Sequence, residues 1–442
     1  MRRIASLFLL LVLLVPAHAA ENGGGQGDVT EVVSPGGVTA WLRQDSNIPL
    51  VAIQFRFDGG SAIVPEEKAG TASMAASMLT EGAGERGPDA FREILADNAI
   101  RLSFDAGRDG LSGQLVTLNE NRDLAVSLLR DALLAPRFEE DALKRVRAAK
   151  IKAVRARSQQ PNSIAYREWR EKAFEGHPYA HGTLGTEKSL ARITQQDLKA
   201  YLADVLSRQS LIVGAAGDIK PSALGDVLDA AFGELPDQPP PAQTPPLPPI
   251  PAGIAVVPHP APQSVIVFGH QGIKRTDPDW PAAMVITQIL GGSTLTSRLG
   301  QEIREERGLA YGVGVSLSSY EAGGILLGRS ATRNEAVAQT LDLIRSEWRK
   351  LAENGPTEAE VEDAKSYLIG SFPLSLDSTR AIASVLVQMQ RYDLGREYWN
   401  KRAEQFEAVT MEDAQRVAQK LLDADALLSV VVGQPEGVTT SF

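Results

Sequence analysis

Few side chains in this sequence could do bond-making chemistry, and their types narrow the field. There is no cysteine, which excludes disulfides, thiolate metal sites, iron–sulfur clusters and a cysteine nucleophile. Imidazole chemistry rests on His18, His177, His181, His259 and His270. His177 and His181 are four apart, the spacing that places two ligands on one helical face, but Pro178 and Gly182 put them in a loop and no carboxylate is placed to complete a metal site. Packing and turn hydrogen bonds are the reading for both. His259 and His270 stand alone beside strand-like sequence and read as structural. Ser73 and Ser77 could act as nucleophiles only with an adjacent base and an oxyanion hole, and nothing local supplies either. Arg304 and Tyr311 stand seven residues apart where a helix gives way to a strand, and taken alone they read as structural. An arginine in the last turn of a helix satisfies the dipole, and a tyrosine opening a strand is ordinary packing.

The elements that would carry these residues fall into two halves. Nine prolines stand between Pro236 and Pro251, a run that can join neither a helix interior nor a sheet ladder. We place an N-terminal domain at 29–235, a Pro-rich linker at 236–251 and a C-terminal domain at 252–442. Thr194-x-x-Asp197 and Thr410-x-x-Asp413 are capping-box patterns 216 residues apart. The same offset carries Leu206 onto Leu422 and Leu211 onto Leu427, and the apolar run ending at Gly217 onto the one ending at Gly433. A capped helix followed by a buried strand thus recurs in register, the mark of a duplication.

Within each half, strands and helices form segregated runs. Pro49 to Phe57 alternates as a strand and leads through Gly59-Gly60 to a small-residue helix over Gly70–Leu79. Strand Ser264–Phe268 and helix Trp280–Leu290 repeat that order. Asp123–Leu134 and Ala336–Leu351 have helical periodicity, and Leu295–Arg307 reads as a helix closed by Gly308, with Tyr311–Leu317 a strand. The fold class is α+β: two homologous domains of about 200 residues, each a mostly antiparallel sheet with helices packed on one face.

Composition excludes other classes. With Lys+Arg 45 against Asp+Glu 55 the net charge is -10, and no basic block offers a nucleic-acid footprint. Arg2-Arg3, the apolar run Ile4–Val15 and Ala17-His18-Ala19 have the layout of a signal peptide over 1–19, followed by a flexible leader at 20–28. Twelve residues cover about 18 Å of a ~30 Å bilayer core, too little to span it. Periplasmic export from a bacterium is the expectation, with no integral membrane segment after cleavage.

Several phrases, in order and spacing, resemble the insulinase/pitrilysin metallopeptidase family and its mitochondrial processing peptidase-like branch. They are Gly70-Thr71-Ala72 leading to Met78-Leu79, Phe174-Glu175-Gly176-His177-Pro178-Tyr179 with Gly182-Thr183-Leu184-Gly185-Thr186-Glu187, Arg304 to Tyr311, and Tyr367 to Pro373. Active members carry H-x-x-E-H on the first-half helix, two zinc ligands and a base. Here that segment is Ser73-Met74-Ala75-Ala76-Ser77. Ser73 and Ser77 replace the ligands and Ala76 the base, while the third ligand's place near Lys152-Ala153 holds no acid. The resemblance therefore implies a zinc-deficient subunit that binds no metal itself, is inactive alone, and pairs with a homologous H-x-x-E-H chain carrying the zinc. Arg304 and Tyr311 would then bind the carbonyl of an extended peptide at that partner's site. The alternative from the same resemblance is a non-catalytic peptide-binding or scaffold protein.

Overall fold

The computed structural model describes residues 28–442, so the expected signal peptide and nearly all of the leader lie outside the described residues. The first half contains β1 (Thr30–Val33), β2 (Thr39–Gln44), β3 (Leu50–Asp58), α1 (Thr71–Met78), α2 (Pro88–Asp97), β4 (Arg101–Ala106), β5 (Gly110–Leu118), α3 (Arg122–Leu134), α4 (Glu140–Ser158), α5 (Pro161–Ala173), α6 (Glu187–Arg192), α7 (Gln195–Val205), β6 (Ile212–Gly217) and α8 (Pro221–Phe232). The second contains β7 (Gly253–Pro258), β8 (Gln263–Gly272), α9 (Trp280–Thr287), β9 (Ala310–Ser319), β10 (Gly324–Arg333), α10 (Val337–Asn354), α11 (Glu358–Ser371), α12 (Thr379–Arg391), α13 (Tyr398–Glu407), α14 (Met411–Leu421) and β11 (Leu428–Gly433). The α+β class holds. Among the described residues no helix is long and apolar enough to cross a membrane.

The sheets share one plan. The first runs β1-β2-β6-β3-β5-β4 and the second β7-β11-β8-β10-β9. In each, one pair is parallel, β2 with β6 and β7 with β11, and the other pairs are antiparallel. The 216-residue offset carries the bounds of α7 onto α14 and of β6 onto β11 residue for residue. Both capping boxes form, Thr194 Oγ1 accepting from Asp197 N and Thr410 Oγ1 from Asp413 N, with each carboxylate returning to its threonine. The edge that β1 occupies in the first sheet is lined in the second by the C-terminal tail, where Ser441 N donates to Ile254 O and Val256 N to Thr440 Oγ1.

One face of each sheet packs on helices of its own half, as expected. The other face receives a helix from the opposite half, which segregated runs in the sequence cannot disclose. Strand alternation divides the contacts. Val265 and Val267 of β8 meet Ile164, Ala165 and Trp169 of α5, whereas Ile266 and Phe268 face the second half's own core. Reciprocally, α12 lays Ile382, Ala383 and Leu386 over Ala52 and Ala216. Gly214 permits that approach, because a Cβ there would lie 2.5 Å from Ala383 O. Trp169 Nε1 donates to Leu428 O at 3.1 Å, and Gln390 Nε2 to Val213 O at 2.8 Å. Strands covered on both faces must be apolar throughout, and all six residues of β11 are buried.

Candidate functional site

The segment aligned with the metal-binding motif lies on α1. Gly70 precedes it with φ +100°, and small side chains let the helix sink against α4, α7 and β4, so that every residue but Ser77 is buried. Ser73 Oγ accepts a hydrogen bond from Lys150 Nζ of α4 at 2.7 Å. Ser77 Oγ donates to Ser73 O at 3.0 Å, one helical turn back. Ala76 is buried and has no proton-accepting group. Burial holds the Lys150 ammonium below its ordinary pKa, assisted by Arg157 and opposed by Asp105. No carboxylate forms an ion pair with Lys150 among the described residues.

These residues do not fit a zinc ion. Two neutral hydroxyls replace imidazoles, a methyl replaces the base, and a cationic amine stands beside Ser73. Near the place expected for the third ligand Lys152 is exposed, and Lys150, half a turn earlier, is an α4 residue that bonds to α1. Among the described residues no group of three His, Asp or Glu side chains could hold a metal ion.

His177 and His270 are structural. His177 Nδ1 accepts from Tyr179 N at 3.1 Å, which leaves Nε2 to donate to Pro245 O at 2.9 Å. Both nitrogens are spent, and the ring fastens the Pro-rich segment, which has neither helix nor strand over 236–251. His181 Nδ1 lies 4.0 Å from Glu66. His270 donates Nδ1–H to Gln271 O and accepts Trp348 Nε1–H at 2.9 Å, and burial holds its pKa below the usual value.

Arg304 and Tyr311 sit side by side on the second half. The helix expected over Leu295–Arg307 is shorter, because Ser293 and Ser297 bond the backbone of the 293–297 turn and divert it from the helix. A π-helical turn over Gly300–Glu305 follows, a widened geometry frequent at functional sites. Gly308, with φ +58°, closes it as expected: Gly308 N donates to Arg304 O at 3.0 Å and Leu309 N to Ile303 O at 2.8 Å. The chain then turns into β9, returning Tyr311 beside Arg304. The guanidinium carbon stands 4.8 Å from the centre of the Tyr311 ring, and Glu305 holds Arg304 Nε at 3.2 Å. Tyr311 is 87% exposed. Among the described residues nothing hydrogen-bonds its hydroxyl or the two terminal Arg304 nitrogens. No hydrogen bond, ion pair or aromatic contact joins either residue to α1.

Sequence reasoning missed Lys150, 77 positions from Ser73, and a buried charged cluster where the halves meet. There Asp109 is ringed by Arg56, Tyr179, Glu321 and Arg391. No local pattern marks either group, since each is assembled from distant strands, turns and helices.

Comparison with known proteins covers nearly the whole described chain. Residues 40–187 match the family described as Insulinase (Peptidase family M16), and residues 192–368 the family described as Peptidase M16 inactive domain. The Non-peptidase homolog YmxG of Helicobacter pylori is 30% identical over 336 residues, 74% of this chain and 76% of that protein. The Uncharacterized zinc protease YmxG of Bacillus subtilis is 24% identical over 89% of this chain and 96% of its own. Among solved structures, a peptidase M16 inactive domain from Pseudomonas fluorescens superposes with a TM-score of 0.88 at 27% identity, covering 93% of this chain and 99% of that one.

Proposed function

This chain belongs to the M16 (insulinase) peptidase family, and from that premise we propose that it is the zinc-free subunit of a periplasmic heterodimeric zinc peptidase. The observation that carries the reading is an asymmetry within one molecule. The first half has replaced the metal-binding residues by Ser73, Ala76 and Ser77 and set an ammonium among them. The second half presents an exposed Tyr311 beside a partly exposed Arg304, with the Tyr311 hydroxyl and the terminal Arg304 nitrogens unbonded among the described residues. A guanidinium and a phenol aimed at one point can bind a peptide carbonyl and stabilise charge that grows on its oxygen. In this chain they have no metal half to serve, so the partner is a homologous chain bearing H-x-x-E-H and zinc. The substrate is an extended peptide, bound as a strand added to a sheet edge.

The relative described as a non-peptidase homolog favours a second reading, in which the fold binds peptide or holds a partner without hydrolysis. One experiment separates the two. The tagged chain is purified gently from its own periplasm and its stoichiometric companions are identified by mass spectrometry. A co-purifying H-x-x-E-H chain, with peptide turnover by the pair and none by either chain alone, supports the heterodimer. The chain emerging alone or with an unrelated protein overturns it in favour of the scaffold.

A further inference from the structure

The hydrogen bond between α1 and α4 joins a hydroxyl to an amine whose setting is unlike that of a surface lysine. Lys150 Nζ lies 2.7 Å from Ser73 Oγ, within the range for proton transfer. The charged groups of the surrounding elements leave the amine unpaired. Asp105 of β4 and Arg157 of α4 act on it only at a distance, Asp197 of α7 is held by Lys68 and Thr194, and Glu187 of α6 is held by Arg155. A lysine that is partly desolvated and lacks a carboxylate gives up its proton more readily than one in water, the condition under which lysines serve as general bases.

Ser73 is placed to use such a base. It is the third residue of α1, in the turn whose amides have no intrahelical acceptor, and the first such bond is Met74 N to Gly70 O. The Ala72 and Ser73 N–H groups therefore have no backbone acceptor among the described residues, and they lie at the positive end of the helix dipole, where an oxyanion is favoured. Ser73 is 7% exposed and Lys150 half-buried, which limits the acyl group to a small one. The base absent from the local sequence is thus supplied by the neighbouring helix.

We propose that Ser73 and Lys150 form a nucleophile–base pair that takes the acyl group of a small ester onto Ser73 Oγ and passes it to water. Neutral Lys150 accepts the hydroxyl proton as Oγ bonds to the acyl carbon and the carbonyl electron pair moves onto oxygen. Collapse of the tetrahedral adduct expels the alcohol oxygen, which takes the proton back from the Lys150 ammonium. Water then adds to acyl-Ser73 with Lys150 again accepting a proton, and Oγ departs with that proton. The net change is ester plus water to acid plus alcohol, with no metal and no redox partner. This activity needs no second chain, so its test is independent of the heterodimer.

The purified chain is incubated with p-nitrophenyl butyrate from pH 6 to 10, following nitrophenolate release and the mass of the protein. The expected result is one butyryl group on Ser73, mapped by peptide mass spectrometry, forming faster as pH rises and Lys150 loses its proton. Lys150→Arg keeps a cation and a hydrogen-bond donor at the position but cannot accept a proton. It is expected to slow acylation by about 100-fold or more at an unchanged melting temperature. Ser73→Ala removes the adduct. Equal ester turnover in wild type, Ser73→Ala and Lys150→Arg, or an adduct on another residue, overturns the proposal and leaves the contact a structural tie between α1 and α4.

Discussion

Asp109 Oδ2 accepts the backbone N–H of Glu321 at 3.2 Å, joining the tips of two homologous hairpins, β4–β5 of one half and β9–β10 of the other. Arg391 of α12 reaches the same oxygen at 3.2 Å, Tyr179 donates its hydroxyl to Oδ1, and Arg56 bridges Asp109 O and Glu321 Oε1 at 2.7 Å each. The Asp109 side chain is 2% exposed. Removing one partner from a buried, hydrogen-bonded ion pair leaves the other charge uncompensated, at a cost of about 3–5 kcal/mol. Asp109→Ala should lower the urea midpoint accordingly, and Asp109→Asn should lower it too, since it loses the charge and exchanges one of the two accepting oxygens for an amide donor. A loss below about 1 kcal/mol for Asp109→Ala would show that the seam does not hold the halves together.

The same seam gives a signed dependence on pH. Burial raises the Glu321 carboxyl, with the Asp109 charge adding to it and Arg56 and Arg391 opposing, and burial likewise raises Asp58. A carboxyl whose native pKa lies above its unfolded value binds its proton more tightly in the folded state. Its contribution to stability is complete below the ordinary value of 4.5 and is lost as pH rises through the raised one. Glu321→Gln deletes that titration. Its melting temperature should fall less than that of the wild type as pH rises from about 4.5, and a steeper fall in the variant would reverse the assigned sign.

How far the fold could be read from sequence depends on the range of the interactions. The capping boxes at Thr194 and Thr410 are local: a side chain bonds an amide three residues on, so a four-residue pattern carries the geometry, and the 216-residue offset between them gave the duplication. Thr194→Ala and Thr410→Ala should each cost about 1 kcal/mol in chemical denaturation. The equality follows from the matching hydrogen bonds, and a difference above about 1 kcal/mol between the two would argue against equivalent elements. The exchange of α5 and α12 between sheets was not legible, because an amphipathic helix records that it has a partner and not which one. Lys150 was hidden for a similar reason. Its register on α4 decides whether it or Lys152 reaches Ser73, and only the packing of α4 on α1 sets that register. The shortened helix before Arg304 had a signal in the Ser/Thr-rich stretch 293–297, whose hydroxyls compete for the backbone.

The last prediction concerns the pair that would serve a partner chain. Tyr311→Phe keeps the ring that stacks on Arg304 and removes only the free hydroxyl, whereas Arg304→Lys keeps a charge and loses the planar fork. If both donors meet a substrate oxygen as charge develops on it, each variant should reduce kcat/KM of the reconstituted heterodimer by about 100- to 1000-fold. The reduction should fall mainly on kcat, because the contact strengthens in the transition state. Folding should be untouched, since Tyr311 is almost wholly exposed and Arg304 makes no buried hydrogen bond through its side chain. Assembly, read by native mass spectrometry, should also be unchanged, which separates lost chemistry from a lost interface. Turnover by a correctly assembled pair that is indifferent to the double variant Arg304→Ala/Tyr311→Phe would refute the catalytic role assigned to the second half.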